Sequence, residues 1–187
     1  MKNLKTLTLG ILALSFYSFT TMIDKKVDTE QSTVKWVGKK VTGQHEGTIK
    51  LESGSLQFDG KTLTGGNFVI DMTSITVTDL EGKGKANLEG HLKSDDFFGV
   101  AEHPEATLVF TTVVPTEGGY NITGDFTIRG ITNAEAFELK IDNNTASTDL
   151  EIDRSKYNVK FRSGSFFENL GDKLINDELK LRVSFTY

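Results

Sequence analysis

The chain has 187 residues, a formal net charge of −5 and no cysteine. That length suits one domain with a proper core, and the acidic balance argues against a nucleic-acid partner. Without thiols there are no disulfides, no thiolate ligands or nucleophiles, and no lipoprotein-type anchor.

Lys2 and Lys5 precede an uncharged apolar run from Leu7 to Phe19. A helix needs ~20 apolar residues to cross a bilayer core, so this shorter run reads as a secretory signal peptide. Ser18 and Thr20 suit the −3 and −1 positions of a cut near Thr20. The domain plan is therefore a leader over 1–20 and an exported domain over 21–187, periplasmic or secreted, with no membrane span once the leader is gone. An uncleaved anchor is the alternative.

After a polar lead-in (Asp24 to Asp28), strand-like segments follow closely. Thr33 to Lys40 sets Val34 and Trp36 on one face, and Gly47 to Glu52 does so with Ile49 and Leu51. Ser55 to Phe58 ends at Asp59-Gly60, a hairpin turn. In Asn67 to Thr73, Phe68, Ile70 and Met72 share a face. From Gly82 to Ser94 the period changes: Ala86, Leu88 and Leu92 with charges between them predict a short helix. Pro104 closes its exit loop.

Strands resume at Thr107 to Val114, with Leu108 and Phe110 aligned. Tyr120, Ile122, Phe126 and Ile128 alternate strictly with polar residues, as in a half-buried strand. Arg129-Gly130 turns into a strand carrying Phe137, Leu139 and Ile141, and Asn143-Asn144 turns into Leu150 and Ile152. Lys156 to Leu174 is irregular, and Glu178 to Tyr187 alternates to the end. About eight strands at this spacing, with one helical insertion around 82–94, define an all-β antiparallel sandwich or barrel. Closure into an eight-stranded barrel removes exposed edges.

No catalytic constellation emerges. His45, His91 and His103 lack metal-ligand spacing, so no metal site or cofactor is expected. Ser53-Gly54-Ser55 and Ser163-Gly164-Ser165 are not a hydrolase elbow and read as turns. Asp95-Asp96 diverge, so they make no carboxylate dyad. Arg129 and Arg154 each end a strand. They can bind a phosphate or carboxylate head group, or each can pin a loop through an ion pair, with Asp125 or Asp153 for example; pinning is the more economical reading. Trp36, Phe68, Phe97, Phe98, Phe110, Phe126, Phe137 and Phe161 are core aromatics by default. An eight-stranded interior is wide enough either to pack shut or to hold one small ligand.

Four blocks together resemble the YceI-like family of exported bacterial proteins. They are Asp71-Met72-Thr73-Ser74-Ile75; Gly90 to Phe98 with His103-Pro104-Glu105-Ala106-Thr107; Gly124-Asp125-Phe126-Thr127-Ile128-Arg129-Gly130-Ile131-Thr132; and Ile152-Asp153-Arg154-Ser155-Lys156-Tyr157. Their order and spacing run from Val27 to Tyr187. Asn133-Ala134-Glu135 stands where family members often carry proline. Asn158 replaces a common glycine, and asparagine tolerates the left-handed conformation that such a turn needs. The resemblance implies a lipocalin-like barrel binding an isoprenoid or fatty-acyl lipid without catalysis. The aromatics above would line the tail cavity, and Arg129, Arg154 or His91 would meet the head group. A packed interaction module and an enzyme on a lipophilic substrate, with a histidine base, are the alternatives. A homodimer is left open.

Overall fold

The computed structural model describes residues 21–187; the expected leader lies outside them. Nine strands and one helix follow in order: β1 (Met22–Lys26), β2 (Asp28–Lys40), β3 (Gly43–Asp59), β4 (Thr62–Val77), α1 (Gly82–Lys93), β5 (Glu105–Pro115), β6 (Gly119–Ile128), β7 (Ile131–Asp142), β8 (Thr145–Asp153) and β9 (Ile175–Thr186). All pairings are antiparallel. The sheet runs β3-β2-β9-β8-β7-β6-β5-β4 and returns to β3, closing an eight-stranded barrel. β1 pairs with Ser55–Asp59 of β3, while β2 pairs with Gly43–Ile49 of that strand. The two share one position around the barrel, interrupted at Val27.

The period of two sets the faces as expected. In β6, Ile122, Gly124, Phe126 and Ile128 are buried and the residues between them are not. Two segments differ from the sequence reading. The polar lead-in is β1, because pairing with β3 satisfies its backbone without needing an apolar face. Ser53-Gly54-Ser55 is an irregularity inside a continuous β3, not a turn. A Cβ at Gly54 would fall 2.7 Å from the Phe68 ring, so glycine there makes room for an aromatic rather than for a bend.

The hairpins turn where glycine and asparagine stand. Arg129 (φ 52°) and Gly130 (φ 72°) both take the left-handed region, the conformation of a type I′ turn. Asn158 (φ 61°) caps the 3-10 turn Arg154–Tyr157 in the same region.

Two buried clusters divide the interior by height. One packs Leu56, Phe58, Leu63, Phe68, Ile122, Leu139 and Phe185 toward the β1 end. The other gathers Met72, Val77, Leu92, Phe97, Phe126, Ile128 and Tyr157 beneath α1. Tyr157 is fully buried, and its hydroxyl donates to Glu135 Oε1 at 2.9 Å. Burial, then the Glu135 carboxylate, push this phenol far above its ordinary value of 10.

A phenol whose folded pKa is raised stabilises the fold fully below its unfolded pKa of about 10, and that stability is lost as pH rises further. Tyr157→Phe should therefore flatten the fall in denaturant-measured stability above that pH, relative to wild type, by up to about 1.4 kcal/mol per pH unit. Parallel curves for the two proteins would refute the assignment.

Candidate functional site: an apolar cavity under the helix

The half of the barrel beneath α1 is hollow. A cavity of about 150 Å³ lies between the inner faces of β2, β3, β4 and β9 and the underside of the helix. Strand alternation supplies its wall: Trp36 from β2, Ile70 and Met72 from β4, Leu179 and Leu181 from β9. Gly47, paired with Trp36, is required at close quarters. A Cβ there would sit 1.8 Å from the Thr76 carbonyl oxygen and 2.6 Å from the indole. Leu88, His91 and Leu92 form the helical roof. Exposed Lys39 and Lys40 are also in the wall, so the cavity reaches the surface at that end of β2.

Two features hold the roof. The Val77 N–H donates to Glu89 Oε1 at 2.9 Å, tying α1 to the end of β4. His45 Nδ1 lies 2.8 Å from Asp79 Oδ2, and the Glu46 N–H donates to the other oxygen of that carboxylate. Burial alone would raise the Asp79 carboxyl; these hydrogen bonds together outweigh it and hold the group below its ordinary value.

The wall is almost wholly apolar, yet two of its residues carry a buried ring nitrogen with no hydrogen-bond partner among the described residues: Trp36 Nε1 and His91 Nε2. The His91 ring is fixed edge-on between Phe97 and Phe161, at 5.7 and 4.3 Å between centroids. Indole nitrogen only donates; the imidazole nitrogen donates or accepts according to its tautomer.

The aromatics expected in a cavity separate into three places. Trp36, Phe97, Phe98 and Phe126 line it. Phe161 stands behind His91, outside the wall. Phe68, Phe110 and Phe137 form a chain of rings at 5.5 and 5.9 Å that plugs the other half of the barrel. Ile70, Met72, Leu179 and Leu181 were absent from the sequence-derived set. Their signal was present, since each shares a strand face with an aromatic or another apolar residue, but counting aromatics alone passes over it.

His91 faces the cavity, whereas the two arginines do not. Arg129 donates through Nη1 to the carbonyl oxygens of Asp95 (2.9 Å) and Phe97, clamping the loop that carries Phe97 and Phe98. Arg154 is 1% exposed. It donates to the carbonyls of Val159, Ile175 and Asn176 at 2.9–3.0 Å, and its Nη2 lies 3.1 Å from Asp177 Oδ1. Burial lowers its pKa and Asp177 and Asp153 oppose that shift; the guanidinium stays charged. The partner is thus Asp177, from the far side of the irregular segment, rather than Asp125 or Asp153.

An antiparallel barrel closed on itself, plugged at one end and hollow under a helical roof, is the class of protein this geometry defines. The particular family follows from the sequence: the YceI-like domain family matches residues 26–187, and the chain belongs to it. Protein YceI of Escherichia coli is 33% identical over 96 residues, 51% of this chain and 48% of that protein. Protein YceI of Shigella flexneri is 32% identical over the same shares. The chain thus matches about half the length of these curated relatives.

Among solved structures, Burkholderia cenocepacia BcnA superposes with a TM-score of 0.70 at 24% identity, over 86% of this chain and 99% of that one. A polyisoprenoid binding domain from Saccharophagus degradans gives 0.55 at 13% identity, over 89% and 98%. The Campylobacter jejuni YCEI protein gives 0.52 at 16%, over 96% and 90%. At these identities the likeness is one of fold.

Removing one partner of a buried ion pair strands the other. Arg154→Met should cost about 3–5 kcal/mol of stability, with Asp177→Asn in the same chain restoring part of it. Urea unfolding of the single and double variants reads both effects; a single variant within 1 kcal/mol, roughly, of wild type would remove Arg154 from this role.

Proposed function

We propose that this protein is an exported, non-enzymatic carrier that holds the chain of an isoprenoid-like or fatty-acyl lipid in the cavity beneath α1. The observation that carries the reading is an almost wholly apolar cavity two of whose wall residues, Trp36 and His91, keep a buried ring nitrogen with no partner among the described residues. A buried donor without a partner costs about 1–3 kcal/mol, so a site that retains one is suited to a ligand bringing the acceptor. Trp36 and His91 then meet an oxygen of the ligand, while Phe97, Phe98, Phe126 and the neighbouring aliphatics hold its hydrocarbon. Arg129, which clamps the Asp95 and Phe97 carbonyls, and Arg154, engaged with three carbonyls and Asp177, serve the wall from behind. The polyisoprenoid-binding name of one structural neighbour points the same way.

Size bears on how such a ligand enters. Cavities for drug-sized molecules run to about 300–1,000 Å³, so about 150 Å³ admits a short segment of chain. Accommodating a longer tail requires α1 to move outward, and its apolar attachment is small: Leu92 is its one buried residue. At ~0.3 kcal/mol per heavy atom, a tail of ~20 carbons gains ~6 kcal/mol. An acceptor contact added to that reaches micromolar-range affinity.

Native mass spectrometry of the exported protein, followed by organic extraction, tests the reading. A stoichiometric apolar ligand is the expected result; protein that is always empty and refuses polyprenyl and fatty-acyl probes would move the assignment to a packed interaction module. Ala106 is buried in the cavity wall, so Ala106→Phe should occupy the space and lower probe affinity at least about tenfold while the barrel still folds. Trp36→Phe should weaken a fatty alcohol or acid more than a hydrocarbon of equal length, about fivefold in calorimetric titration. Equal losses for both ligands would exclude the indole as a donor to ligand.

A further inference from the structure

Two adjacent phenylalanines stand in solvent on the irregular segment between β8 and β9: Phe166 is 43% exposed and Phe167 50%. The fold holds them there firmly. Both backbone N–H groups donate to the Ser163 carbonyl, at 3.2 and 3.0 Å. The hydroxyls of Ser163 and Ser165 donate to Asp177 Oδ2 at 2.8 and 2.7 Å, and Asp177 is the partner of buried Arg154. The segment is also placed. The Ile175 N–H donates to the Arg162 carbonyl at 3.0 Å, and the Val41 N–H to that of Leu174 at 3.3 Å. That sets it beside Lys39 and Lys40, where the cavity reaches the surface, and beside Val41, itself 56% exposed.

Charge here runs against that of the chain. Lys39, Lys40, Lys160, Arg162 and Lys173 are all exposed, whereas Glu168 and Asp172 are the carboxylates of the same segment, in a protein of net charge −5. The Lys160 ammonium lies 5.1 Å over the Phe166 ring. Exposed aromatics among long cationic side chains fit a bilayer interface: rings enter at headgroup level, apolar stems follow them, and the charges remain with lipid phosphates. The cations come from β2 and from several points along the segment, with Lys160 over one ring, an arrangement suited to a fluid, diffuse anionic surface rather than to one bidentate partner.

We propose that Phe166, Phe167 and the surrounding cations form a docking face for an anionic lipid bilayer, which turns the hollow end of the barrel toward the membrane. Docking does not depend on the cavity holding lipid, so the two readings fail separately.

Residues 21–187 contain every strand of the closed barrel and can be co-sedimented with vesicles of phosphatidylcholine alone or mixed equally with phosphatidylglycerol. Binding to the anionic vesicles, weakened by salt, is expected. The double variant Phe166→Ser, Phe167→Ser should bind them at least about tenfold more weakly, as should Lys160→Glu with Lys173→Glu. Both should take up a fluorescent fatty-acyl probe from solution as wild type does. Wild type that ignores anionic vesicles, or variants that bind them unchanged, would overturn the proposal. A wild-type dimer that the phenylalanine variant dissolves, with vesicle binding unaltered, would overturn it in favour of a second copy of this chain. If the phenylalanine variant fails to fold, the charge-reversal pair decides.

Discussion

One buried guanidinium organises the open end of this barrel. Arg154 directly follows β8 and reaches carbonyls on both arms of the segment, at Val159 on one side and Ile175 and Asn176 on the other. Asp177 balances its charge and passes the constraint outward to Ser163 and Ser165. The residues between β8 and β9 form no strand, and from Gly164 to Lys173 none is buried, so their own chemistry could not order them. A charge withdrawn from water can be tolerated only where every donor finds an acceptor, and that requirement selects one arrangement of the loop.

Arg129 does the same on another side of that end, since β6 and β8 run in the same direction and each arginine follows its strand. It occupies a left-handed position that disfavours a side chain, and its guanidinium ties down the loop after α1. Both arginines therefore act on loops that bring aromatics to the roof: Phe97 and Phe98 in one case, Phe161 in the other. The Arg154 guanidinium lies 5.4 Å from the Phe97 ring, which joins the two loops. The cavity has rigid edges and a lightly attached helix above it, a combination that lets a roof move while the wall keeps its shape.

The interior answers to two different physical demands at its two heights. Toward β1, rings from β4, β5, β7 and β9 meet across the barrel and exclude any guest. Beneath α1, the inner faces carry aliphatics that stop short of one another, and a ring nitrogen each of Trp36 and His91 is left without a partner among the described residues. Packing and hollowness thus coexist in one barrel, divided along its axis.

The sequence by itself determined which side of the alternating strands faces inward, where the hairpins turn, where the helix interrupts the sheet and, through four ordered motifs, the family. Each of these is a local property written by a period of two, a period of 3.6 or a left-handed turn residue. Only the tertiary structure decided that Phe126 borders the cavity while Phe68, Phe110 and Phe137 belong to the plug, and that Arg154 pairs with Asp177. Alternation gives the face of a side chain but not its height along the barrel axis. Height depends on strand register, and irregularities at Ser53 in β3 and between Phe110 and Thr112 in β5 shift that register by a residue. What stands opposite across the interior, and so whether space remains, is set by strands far apart in the chain.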